Sequence, residues 1–203
     1  AGDIIAVFTG TPKQLAVAEE FLIGFLAKPS GIATAARQAV DMAGPTMRVV
    51  CGAWKKMPHE LKHIVREAVA TGGAAFRITD QPFLYLDKNF VRMLGGIEAT
   101  LGAVAEIDDK QKAIQLKGEN GAIASEALTA VDGGAHILMI DTGRLEDVAA
   151  VNQALTAAGW RDQVKIAFAK GIKIDDLPNF AGRGIDFIDI GASILDAPLL
   201  DMK

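Results

Sequence analysis

Apolar runs of five to seven residues alternate along the chain with segments in which apolar positions recur every three to four residues. The short runs have the character of parallel strands buried on both faces, and the periodic segments that of helices covering them. This pattern predicts a short first strand in "DIIAVFTG" and further strands over 48–53, 74–78, 83–87, 113–117, 136–141, 164–169 and 185–190. It predicts helices over about 58–71, 96–106, 121–132, 144–158 and 174–181. Two more helices precede these. "PKQLAVAEEFLIGFLA" has Thr11 as N-cap and Pro12 at its first position, and "SGIATAARQAVDMAG" has Ser30 as N-cap and Gly44 as a stop. Five strand–helix units, with no Pro- or Ser-rich linker and no low-complexity tract, imply one TIM-like parallel α/β barrel of six or seven strands. An open doubly wound sheet is the alternative.

Composition narrows the classes of function. The 203 residues, half of them apolar, can bury one large core. A net charge of −4 and a pI near 5.4 give no overall pull toward nucleic acid or anionic lipid, so any anion must be met by local charge. No apolar run approaches the roughly 20 residues of a membrane span, and no basic-flanked leader stands at the N-terminus. The lone Cys51 lies inside an apolar run, reads as a buried, inert thiol and suits a reducing cytoplasm.

Chemistry concentrates where the predicted strands end. A parallel barrel gathers those ends on one face, where ligands bind. They carry Lys55 and Lys56 after "RVVCGA", Arg77, then Asp87, Lys88 and Asn89, then Lys117, Asp141, Lys170 and Asp189. Charges at the ends of buried strands are costly unless paired or used, and the excess of cations suits an anionic small molecule bearing phosphate or carboxylate. "AKGIKIDD" and "IGASILDA" place Gly171 and Gly191 between a strand and a helix, where backbone N–H groups can cradle a phosphate. Lys55 and Lys56 are read as neighbours on an extended stretch, of which only one reaches the site. His59 and His63 lie one helical turn apart without a third metal ligand, and His136 starts a strand, at the end away from the site.

"AEEFLIGFLAKPSGIATAARQAV", "KKMP", "DKNF", "SEALTAVDGGAHILMID" and "GIDFIDIGASILDAPLLDM" together resemble the barrel domain of the quinolinate phosphoribosyltransferases, or carboxylating nicotinate-nucleotide pyrophosphorylases. The resemblance implies conversion of quinolinate and phosphoribosyl pyrophosphate to nicotinate mononucleotide, pyrophosphate and carbon dioxide, usually with magnesium, by dimers. In such dimers an N-terminal sandwich domain covers the partner's barrel. Residues 1–10 resemble the last strand of that domain, most of which is absent here, and residues 11–203 the barrel. The resemblance also implies a covering partner, either a second copy or a separate subunit.

Matched position by position, the resemblance makes Lys55 and Asp141 the catalytic candidates. Lys56, Arg77, Lys88, Asn89, Lys117, Lys170, Gly171 and Gly191 become substrate-binding candidates. Trp54 and Glu20 stand where the family has arginines, and Lys117 stands where it has a carboxylate, which counts against magnesium at Asp141. Three readings follow. The first is a divergent phosphoribosyltransferase. The second is a non-catalytic anion-binding or regulatory relative, its mouth filled by Trp54, Phe76 and Phe90. The third is a barrel enzyme of another class that uses Lys117 or Lys170 as a Schiff-base nucleophile.

Overall fold

The computed structural model describes residues 3–119 and 121–201. The chain runs α1 (Pro12–Ala43), β1 (Arg48–Val50), α2 (His59–Thr71), β2 (Phe83–Leu86), α3 (Lys88–Leu94), α4 (Ile97–Gly102), β3 (Gln111–Leu116), α5 (Ile123–Asp132), β4 (Ile137–Ile140), α6 (Leu145–Ala157), β5 (Lys165–Ala169), β6 (Phe187–Asp189) and α7 (Ala192–Leu195). All six strands are parallel, in the order β1-β6-β5-β4-β3-β2, and a single bridge from Val50 to Ala75 extends the β1 edge. The result is a TIM-like α/β barrel.

Strand alternation sorts the side chains. Ala113, Ile137, Met139, Ala167 and Ala169 pack with Ile78 on the inner face, while Ile114, Leu116, Leu138, Ile140, Ile166, Phe168 and Ile188 join the helices in the larger core. Half of these inner residues are alanines, which leaves room above them for a cavity.

Several elements differ from the sequence expectation. Residues 74–78 contribute only the Ala75 bridge, because "TGGAAFRITDQP" turns away before a ladder can form. Residues 3–10 pair with no strand, and Ile4, Ile5, Val7 and Phe8 are exposed. The expected helix over 174–181 is a 3-10 helix (Ile174–Phe180) containing Pro178. The expected helix over 96–106 shortens to α4, and α3 precedes it.

The two expected N-terminal helices are one. α1 passes through Pro29, and "SG" at 30–31 does not start a new helix. Gly31 is needed for contact, since a Cβ there would collide with the Pro198 carbonyl, while Leu200 N–H donates to Ala27 O at 3.0 Å. The buried face of Ala27, Ile32, Ala35, Ala36, Ala39 and Ala43 holds the second half of the helix against the barrel, and this packing outweighs one lost backbone hydrogen bond.

Candidate functional site

A cavity of about 1300 Å³ opens at the carboxyl ends of the strands. Its wall carries seven cations, Lys55, Lys56, Arg77, Lys88, Lys110, Lys170 and Lys173, against four carboxylates, Asp80, Asp87, Asp141 and Asp189. Lys110 precedes β3 and Asp80 precedes β2, so at the carboxyl ends themselves the excess is six cations to three carboxylates, in contrast with the negative charge of the whole chain.

Lys55 and Lys56 sit on a single-turn 3-10 helix (Gly52–Lys56), not on an extended stretch, and both reach the cavity wall. This corrects the alternation expected for the pair, because successive residues of a tight helix need not point to opposite sides. Lys55 Nζ lies 5.4 Å from the centre of the Tyr85 ring, a cation–π distance. Beneath it, Asp189 Oδ1 accepts the Gly52 N–H at 3.0 Å. Burial pushes the Asp189 carboxyl above its ordinary range and Asp141 adds to the rise, while the Gly52 N–H and Lys55 oppose it. Burial likewise pushes the Tyr85 hydroxyl up, aided by Asp189, Asp141 and Asp87. Burial raises the Cys51 thiol to about 12, so it stays protonated and inert.

Trp54 forms one side of the mouth. Its Nε1–H donates to Phe76 O at 2.7 Å, the two rings meet edge to face, and the Arg66 guanidinium lies 4.9 Å from the Trp54 ring. Trp54 and Phe76 thus line the opening without closing it, and Phe90 points away, exposed and off the wall.

The β3–β4 side is organised differently. Register places Leu116 beside Ile140, so Lys117 and Asp141 emerge together. Lys117 Nζ donates to Asp141 Oδ2 at 3.1 Å and to its carbonyl at 3.0 Å, and Gln115 Nε2 donates to the same Oδ2 at 2.5 Å. Gln115 Oε1 accepts the Lys88 N–H at 2.8 Å. The backbone N–H groups of Lys117 and Gly118 both donate to Glu126 of α5, at 3.1 and 2.8 Å.

Asp87 is an N-cap. Its carboxylate accepts the Asn89 and Phe90 N–H groups at 2.8 and 3.2 Å and starts α3. Asn89 is exposed and lies off the cavity wall, and Lys117 is also off the wall, behind Asp141. These two sequence candidates do not face the cavity, whereas Lys55, Lys56, Arg77, Lys88, Asp141, Lys170, Gly171 and Gly191 do. Among the described residues, Lys170 is the only non-glycine with positive φ, at 84°. Its carbonyl would lie 2.6 Å from a Cβ at residue 143, so Gly143 allows the loops after β4 and β5 to interlock. Sequence reasoning gave Tyr85, Lys173 and Ser193 no role, although all three line the wall. The odd-numbered alternation through Phe83, Tyr85 and Asp87 was the available signal for Tyr85.

The side chains do not fit a dedicated magnesium site. No group of three or more His, Cys, Asp or Glu among the described residues is placed to hold a metal, and Asp141 already accepts an ammonium and an amide. His59 and His63 are exposed, and His63 Nδ1 is 3.4 Å from Glu67. No helix among the described residues is long and apolar enough to cross a membrane.

A parallel barrel whose strand ends surround a cation-rich cavity belongs to the α/β barrels that place ligands at the carboxyl face. The family model for the quinolinate phosphoribosyl transferase C-terminal domain matches residues 32–203, and the chain belongs to that family. It is 30% identical over 203 residues to the human nicotinate-nucleotide pyrophosphorylase [carboxylating], covering 98% of this chain and 66% of that protein. It is 28% identical over 204 residues to a probable nicotinate-nucleotide pyrophosphorylase [carboxylating] of Archaeoglobus fulgidus, covering 100% of this chain and 77% of that protein. The fold matches NadC from Streptococcus pyogenes with a TM-score of 0.75 at 24% identity, over 95% of this chain and 65% of that one. It matches the nicotinate-nucleotide pyrophosphorylase from Francisella tularensis with a TM-score of 0.74 at 21% identity, over 94% of this chain and 65% of that one. The chain therefore spans about two thirds of the length of these solved structures.

Proposed function

We propose that the cavity binds phosphoribosyl pyrophosphate together with a small carboxylic acid, quinolinate or a relative of it, and transfers the phosphoribosyl group to that acid. The observation that carries this reading is the open cavity with seven cations facing four carboxylates. In such a transfer the bond from the anomeric carbon to pyrophosphate breaks as the acceptor's ring nitrogen bonds to that carbon, through an oxocarbenium-like centre. In this reading Lys55, Lys88 and Lys170 neutralise the departing pyrophosphate, and the Asp141 and Asp189 carboxyls, which line the same cavity, face the developing positive centre. With quinolinate as acceptor, the product then loses carbon dioxide to give nicotinate mononucleotide.

The test is incubation with quinolinate and phosphoribosyl pyrophosphate, read by chromatography of the mononucleotide, beside calorimetric titration of phosphoribosyl pyrophosphate alone. Binding with turnover supports the transfer. Binding without turnover favours a non-catalytic relative, a reading supported by the commitment of Asp141 to Lys117 and Gln115. Absence of binding removes both. A Schiff-base role for Lys117 is disfavoured, because its ammonium is committed to Asp141.

Ile4, Ile5, Val7 and Phe8 before α1 and Phe21 and Phe25 within it are large apolar side chains left exposed. We propose that a second copy of the chain or a separate subunit covers these side chains, which light scattering across a dilution series checks.

A further inference from the structure

Two of the cavity carboxylates are held by side chains: Asp80 by Arg48 of β1, toward the amino ends of the strands, and Asp141, at the carboxyl ends, by two residues of the neighbouring strand. Lys117 and Gln115, two residues apart at the end of β3, both donate to its Oδ2, and Lys117 adds a second bond to its carbonyl. The grip is anchored at both ends. Glu126, 4% exposed, accepts the Lys117 and Gly118 N–H groups, and the Lys88 N–H fixes the Gln115 amide through its oxygen. Lys117 and Asp141 side chains are both about one-fifth exposed, at 18% and 21%, so their attraction is only partly screened.

A hard divalent cation at this position would need several free oxygens and would sit close to an ammonium. The other inner carboxylate, Asp189, spends Oδ1 on the Gly52 N–H. We propose that Lys117 is a built-in counter-ion that takes the place of a divalent metal at Asp141, so that the cavity takes up a diphosphate-bearing ligand without metal. The ammonium cancels the Asp141 charge, which would repel such a ligand, and it does so from behind Asp141 without touching the ligand. Lys117 is accordingly a positioning residue. The proposal rests on the reading that the cavity binds a diphosphate.

Two titrations of the wild-type protein test it. Manganese, followed by electron paramagnetic resonance, is expected to show no site tighter than about 1 mM that Asp141→Asn abolishes. Inorganic diphosphate, followed by calorimetry, is expected to bind no more tightly in magnesium than in EDTA. A manganese site tighter than about 1 mM that depends on Asp141, or diphosphate binding tightened more than about threefold by magnesium, overturns the proposal. Lys117→Glu, which offers a second carboxylate beside Asp141, is expected to gain a manganese site at least about tenfold tighter than any in wild type. If that variant does not fold, the wild-type titrations decide alone. If diphosphate binds in neither condition, the reading of the cavity falls, and the manganese titration still judges the Lys117–Asp141 pair.

Discussion

Asp141 and Asp189 each stand at the carboxyl end of a parallel strand and line one cavity, yet they are held in opposite ways. Asp141 follows β4 beside Lys117 and receives an ammonium and an amide. Asp189 ends β6 between Val50 of β1 and Ala169 of β5, neither of which can offer a side-chain donor. Its direct partner is the Gly52 N–H, with Lys55 and Lys56 acting at longer range, and burial raises its carboxyl. The position of an acid at a strand end therefore says little about its role. The residue that the register places beside it decides whether it is neutralised by a fixed charge or left to desolvation.

The largest effect should come from breaking the Asp141 side. Lys117→Met leaves a carboxylate with its counter-ion removed, and we expect a loss of about 2–3 kcal/mol in urea unfolding, less than for a fully buried pair because both groups are partly exposed. Next, Lys55→Ala should weaken inorganic diphosphate by about 2 kcal/mol in calorimetry, with the melting temperature nearly unchanged, since Lys55 is exposed and makes no ion pair at contact distance among the described residues. A large fall in melting temperature with unchanged affinity would instead make Lys55 the structural partner of Asp189.

A smaller effect is expected from Asp189→Asn. Because the folded carboxyl titrates above its unfolded value, its contribution to stability is complete at acid pH and is lost as pH rises through the raised folded value. The amide removes that loss, so the variant should be the more stable at pH 7 and the two proteins should converge near pH 4, as thermal melts across pH would show. Smallest of all, Asn89→Ala should change diphosphate affinity by less than about twofold, because its side chain lies off the wall and α3 is capped by Asp87.

The contrast also shows what a sequence carries. The parallel order of strands and the gathering of Lys55, Arg77, Asp141 and Lys170 on one face were legible, because short apolar runs ended by charges follow from the demands of a buried parallel sheet. The Lys117–Asp141 pair was not read as a pair, since it depends on the register between β3 and β4, and the residues are 24 positions apart. Asn89 was misread because "DKNF" describes a helix cap as well as a ligand cluster. Ser30 was misread as an N-cap because Pro-Ser-Gly has the composition of a helix start, whereas here Gly31 admits the Pro198 carbonyl within a continuous helix. The family resemblance identified the class and left open what the altered residues do.

α1 extends for about 48 Å, yet every buried residue in it lies at or beyond Ala27. The first fifteen residues are held by their own hydrogen bonds and by the Thr11 N–H to Gln14 Oε1 bond at 2.9 Å, close to the length at which an isolated helix is marginal in water. Within one helix the free energy of opening should therefore change abruptly. Amide exchange is expected to be fast across 12–26 and to fall to the global rate past Ala27, where the Leu200 N–H closes the tail onto the helix. A covering partner would erase that step, so the exchange profile of a single helix reports whether the chain is alone.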